Sequence, residues 1–85
     1  MSRVQRLVLD ILKPHQPNAL EFASALASID EGYRVEIKVE EVDEHTETVR
    51  VAIEGGALDF DRISATISEN GASLHSIDEV SVIGA

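Results

Sequence analysis

The sequence predicts an α+β fold, and three observations lead to it. Two stretches, Tyr33–Glu40 and Thr48–Glu54, alternate strictly between apolar and polar residues around a short polar link, which is the pattern of a hairpin with one buried face. Two further stretches carry apolar residues at helical spacing behind an N-cap signature. An apolar run precedes the first of these helices and another follows the second.

The first strand is the densest apolar run, Val4–Leu12. Leu7, Leu9 and Ile11 fall on one face and Val4, Val8 and Leu12 on the other, so the strand belongs in the middle of a sheet. Pro14 ends it, because proline cannot donate to the ladder. Asn18-Ala19-Leu20-Glu21 then forms a capping box, with Asn18 accepting from the N3 amide and Glu21 reaching back. Ala19, Phe22, Ala23, Leu26 and Ile29 make the buried stripe of the first helix, which Asp30-Glu31-Gly32 closes, the glycine supplying a left-handed residue. In the hairpin Val35, Ile37 and Val39 face Val49, Val51 and Ile53 on the buried side, while Arg50 can pair with the acids of the preceding strand on the other. Asp43-Glu44-His45-Thr46 is the turn. Gly55-Gly56 breaks the hairpin. Asp59 caps the second helix, Leu58 and Ile63 form a hydrophobic staple, and Phe60, Ile63, Ser64 and Ile67 give its stripe. Asn70-Gly71 closes it. The last strand spans Ala72–Ile83, but Leu74, Ile77, Val80 and Val82 are out of phase, which predicts a bulge between Leu74 and Val80.

The resulting order, βαββαβ, is the split βαβ or ferredoxin-like arrangement: a four-stranded antiparallel sheet with two helices on one face. Right-handed crossovers put the first and third strands in the centre. At 85 residues the chain is expected to form a single domain, 1–85, with a small aliphatic core, a type that gains from oligomerisation.

Composition narrows the function. There is no cysteine, which excludes disulfides, thiolate metal sites and cysteine nucleophiles. No apolar run approaches the length of a membrane span, and Met1-Ser2-Arg3-Val4 enters the strand pattern at once, leaving no room for a signal peptide; a cytoplasmic protein is expected. Sixteen acids against seven bases give a net charge of −9. Such a field disfavours nucleic acid and anionic membrane as partners and attracts cations. Abundant acid with few lysines also fits a high-salt cytoplasm, where screening removes self-repulsion; an ordinary acidic cytosolic protein is the alternative.

The topology brings the end of the first strand, the hairpin turn and the start of the last strand to one edge. Asp10, His15, His75 and Asp78 gather near it, and imidazoles with carboxylates can bind a divalent cation. The spacing matches no established ligand motif, so the same histidines also read as caps of loop carbonyls and the acids as solvated. Serine-hydrolase, phosphate-loop, acylphosphatase-like and RNA-recognition signatures are absent, so no known enzyme type is expected, and an enzyme of unrecognised type stays as a third alternative. Val4, Val8 and Leu12, on the side away from the helices, form the candidate interface between copies of the chain; the alternative is that Arg6, Lys38 and Arg50 fold over them.

Leu9-Asp10-Ile11-Leu12-Lys13-Pro14-His15 with Pro17, then Leu58-Asp59-Phe60-Asp61, then Leu74-His75-Ser76-Ile77-Asp78-Glu79-Val80, resemble in order the motifs of a small archaeal family, domain-of-unknown-function family 211. The resemblance covers nearly the whole chain. It implies a ferredoxin-like fold, assembly into homo-oligomers and no assigned activity. It also makes Asp10, His15, Asp59, His75 and Asp78 candidate site residues without an assigned role. Family members often carry a tail beyond the last strand, whereas this sequence stops at Ile83-Gly84-Ala85. The expectation is a non-enzymatic homo-oligomer binding divalent cations through its acidic surface. The alternative is a regulatory module that holds an amino-acid-like ligand between subunits, near Asp10 and Asp78.

Overall fold

The structure, a computed structural model, describes residues 2–84. The elements are β1 (Ser2–Pro14), α1 (Ala19–Ala27), β2 (Arg34–Val42), β3 (Thr46–Glu54), α2 (Phe60–Glu69) and β4 (Ser73–Gly84). All pairings are antiparallel and the strand order is β2-β3-β1-β4. This is the ferredoxin-like arrangement, with β1 and β3 central. Among the described residues no helix is long and apolar enough to cross a membrane.

The core follows from alternation. Leu7, Leu9 and Ile11 of β1 and Val49, Val51 and Ile53 of β3 are buried beneath Phe22 and Leu26 of α1 and Ile63 and Ile67 of α2. The capping box of α1 forms as the sequence predicts, with Asn18 accepting from the Glu21 amide at 2.9 Å and Glu21 accepting from the Asn18 amide at 3.1 Å. The helix ends sooner than its apolar stripe, at Ala27, with Ser28 as cap. The Ser28 hydroxyl donates to the Ser24 carbonyl at 2.7 Å, a side-chain bond that competes with continuing the helix. Ile29 packs against the core from the following turn. Gly32 and Gly71, at φ +89° and +77°, occupy the left-handed region that the turns into β2 and β4 require. Asp59 caps α2, and the staple residues Leu58 and Ile63 are both buried.

Two departures change the surface. β4 carries two extra residues relative to β1, His75 between the Ile11–Leu74 and Asp10–Ser76 pairs and Asp78 between the Leu9–Ile77 and Val8–Glu79 pairs. The predicted region is thus bulged twice. The second departure corrects the expected interface. β1 has its own extra residue, Gln5, between Val4 and Arg6. A one-residue slip turns every later side chain to the other face, so Val4 packs against the helix-side core instead of lying on the open face. Val8 does lie on the open face, yet it is only 2% exposed, surrounded by Arg6, Lys38, Arg50 and Glu79. Of the three, only Leu12 remains well exposed.

Candidate functional site

Sheet alternation puts Arg6, Val8, Asp10 and Leu12 of β1 on the face opposite the helices, across from Glu54, Ala52, Arg50 and Thr48 of β3. The bulges of β4 add His75 and Asp78 to the same face. The His75 Nδ1 lies 3.2 Å from Asp10 Oδ2. Asp78 accepts from the Ser76 hydroxyl at 2.8 Å and faces Arg50 at 3.6 Å. Arg50 also faces Glu40 at 3.8 Å, the pairing with β2 acids read from the hairpin.

The four residues predicted as one cation site therefore separate. Asp10 and His75 meet. Asp78 is neutralised by Arg50. His15 belongs elsewhere: its Nε2 lies 3.1 Å from the Glu44 carbonyl oxygen and its Nδ1 3.5 Å from Glu47 Oε2. Among the described residues no three His, Asp or Glu side chains converge closely enough to hold a metal ion. The reason is geometric: His15 follows Pro14, which pairs with Thr46 beside the hairpin turn, whereas His75 bulges from β4 on the other side of β1. Asp59, carried over from the family resemblance, serves as a cap. It accepts from the Arg62 amide at 3.2 Å, and its own amide donates to the Tyr33 hydroxyl at 2.7 Å.

Two depressions mark the open face. One, of about 300 Å³, is lined by Asp10, Leu12, Glu41, Thr48 and His75 and is acidic. The other, of about 290 Å³, has Val8 and Ala52 at its base and Arg6, Lys38, Arg50, Glu36 and Glu79 around it. A larger hollow of about 510 Å³ lies between the outer sides of α1 and α2, but its guanidinium, Arg62, is engaged in donating to the Ile29 carbonyl at 2.8 Å.

One side-chain cluster escaped the reading of the sequence. Lys13 is 1% exposed. Its Nζ donates to Glu47 Oε1 at 2.6 Å and to the Pro14 carbonyl at 2.8 Å. Lysine is seldom this buried unless paired. Lys13 continues the inward register of Leu7, Leu9 and Ile11, and Glu47 that of Val49, Val51 and Ile53; the two are direct cross-strand partners. That shared phase was the available signal. The hydrogen bond from Lys13 holds the Glu47 carboxyl below its ordinary value of 4.5; partial desolvation opposes this, while the Lys13 charge and His15 reinforce it. The cluster ties the end of β1 to the start of β3 and the turn at Glu44.

Residues 5–85 match a family described as Uncharacterized ArCR. An uncharacterized protein of Methanocaldococcus jannaschii is 49% identical over 80 residues, covering 94% of this chain and 82% of the relative.

Proposed function

We propose, from the premise that this chain belongs to domain-of-unknown-function family 211, that it is a non-enzymatic, self-associating cytoplasmic protein whose open sheet face binds small ligands. One observation carries the self-association. β4 is an edge strand, and from Glu79 to Gly84 it runs without an extra residue of its own. Val80, Val82 and Ile83 along that segment are 55%, 51% and 42% exposed. An edge that is regular, apolar and unpaired is a template for another strand. The inner half of β4 is blunted by its two bulges. The opposite edge, β2, presents Arg34, Glu36, Lys38, Glu40 and Glu41, the charges that discourage edge pairing. A second copy of the chain is the occupant that suits the outer half of β4. The potential acid–base groups of the Lys-Pro-His segment support a binding role over a catalytic one, since Lys13 and His15 are engaged in holding β1 to the hairpin.

Light scattering tests the association. Wild type is expected well above monomer mass, and Val82→Asp is expected to dissociate it, since a carboxylate there would face a second strand. A monomeric wild type, or a Val82→Asp assembly of unchanged mass, refutes it.

A second reading, cation binding, is favoured by the Asp10–His75 pair beside Glu41 in the acidic depression. A hard divalent ion would use the carboxylates, a softer one would recruit His75, and an organic amine would pair with Asp10. Calorimetric titration with Ca²⁺, Zn²⁺ and a monoamine, repeated on Asp10→Asn and His75→Ala, checks it. The reading fails if nothing binds more tightly than about millimolar, a mere 4 kcal/mol, or if both variants bind like wild type.

A further inference from the structure

We propose that the basic depression of the open face is a binding site for a small organic monocarboxylate with a short apolar body. The site begins with one short side chain. Ala52 sits between Val8 on β1 and Glu36 on β2, its direct cross-strand partners. Its neighbours on the same face of β3, Arg50 and Glu54, are long. A methyl group in a row of long side chains leaves a hollow, and its volume, about 290 Å³, lies at the small end of the range for ligand pockets.

The lining of this hollow is richer in bases than the chain as a whole. Three of the chain's seven bases, Arg6, Lys38 and Arg50, line it with two carboxylates, Glu36 and Glu79, while Glu54, Glu40 and Asp78 flank the two arginines from outside the lining. Lys38 has no carboxylate within ion-pair distance among the described residues, and its direct cross-strand partner is Arg50. Like charges placed opposite one another are destabilising, and an anion between them removes the repulsion. The guanidiniums retain donors to offer. Arg6 stands 3.3 Å from Glu54 and 3.5 Å from Glu79, and Arg50 stands 3.8 Å from Glu40 and 3.6 Å from Asp78. All four contacts are longer than the 2.6 Å bond of Lys13 to Glu47 and longer than a charge-assisted hydrogen bond, about 2.7–2.9 Å.

The base of the hollow selects the rest of the ligand. Ala52, partly exposed, offers its methyl group above the covered Val8, and the stems of Arg6, Lys38 and Arg50 supply apolar walls beneath charged ends. A carboxylate can meet Lys38 and Arg50 while a short alkyl body covers Ala52. Inorganic phosphate satisfies the cations but gains nothing from that base.

The site shares no lining residue with the acidic depression; it rests on the reading that the open face binds small ligands, and its failure would leave the self-association and the cation reading standing. The experiment is an amide chemical-shift titration of the protein with butyrate, acetate and inorganic phosphate at matched ionic strength. Butyrate is expected to give saturable shifts at Val8, Lys38, Arg50 and Ala52, with acetate and phosphate weaker. Lys38→Met and Lys38→Gln, both at an exposed position, are expected to weaken butyrate by about tenfold or more, whereas Arg3→Met, at the far end of β1, leaves it unchanged. Shifts that never saturate, equal affinity for all three anions, or Lys38 variants that bind like wild type would overturn the proposal.

Discussion

Replacing Glu47 by Leu removes the carboxylate 2.6 Å from a lysine that is 1% exposed. The Lys13 side chain is fully covered, and its ammonium spends its donors on Glu47 and the Pro14 carbonyl. Breaking a buried pair from one side costs about 3–5 kcal/mol. An 85-residue chain at about 0.05–0.15 kcal/mol per residue has roughly 4–13 kcal/mol of stability in total, so this single change consumes a large share of it. Lys13→Met should cost less, about 1–2 kcal/mol, because Glu47, with 13% of its side chain exposed, can turn toward solvent. The double variant Lys13→Met/Glu47→Leu replaces the pair by apolar groups and is expected to lie near wild type or above it. Urea unfolding reads all four proteins, with midpoint shifts compared at constant slope. A Glu47→Leu variant within about 0.5 kcal/mol of wild type would refute the reasoning. So would a double variant as unstable as Glu47→Leu, because that would place the cost in packing and not in the stranded charge.

The same pair sets an acid limb. Glu47 is held below 4.5 in the folded state, so its contribution is present above the unfolded value and is lost as pH falls through the folded one. Wild type is therefore expected to lose stability more steeply below pH 4.5 than the double variant, measured by urea midpoints across pH; parallel acid limbs would remove Glu47 as their source. Salt should act in the opposite sense to its usual effect on single ion pairs: with −9 per chain, screening relieves self-repulsion, so the melting temperature and the assembled fraction should both rise with KCl. A flat response from low to molar salt would refute the high-salt reading.

Much of the fold was legible because its signals are local. The hairpin alternates residue by residue, and Asn18, Asp59 and the Leu58–Ile63 staple announce their helices within one turn. Strand order followed from handedness. What escaped depends on register between distant strands. Gln5 is an ordinary polar residue in an alternating run, and nothing near it says that it is the extra residue that carries Val4 to the core. The end of β1, the hairpin turn and the start of β4 do share one edge, yet an edge is wider than a coordination sphere. Whether Asp78 is available depended on Arg50, two strands away. Conversely, Lys13 and Glu47 were readable, since each continues an inward apolar series, but a charged residue in an apolar phase matters only once its partner's register is known.

The two extra residues of β4 have a consequence for how this strand tolerates changes in length. Each reverses the parity of side chains beyond it, and the second cancels the first, so only the triplet Ser76-Ile77-Asp78 runs in the opposite phase to the rest. Deleting His75 or Asp78 alone would remove one bulge and leave every remaining residue opposite its present partner on β1, so Val80 and Val82 would keep their face. Deleting both would make the ladder with β1 continuous at the expense of the contacts with Asp10 and Arg50. A loss at a residue of β4 that pairs with β1 has no bulge to absorb it and would turn the side chains beyond it to the other face, so the two bulges are the positions where this strand best tolerates shortening.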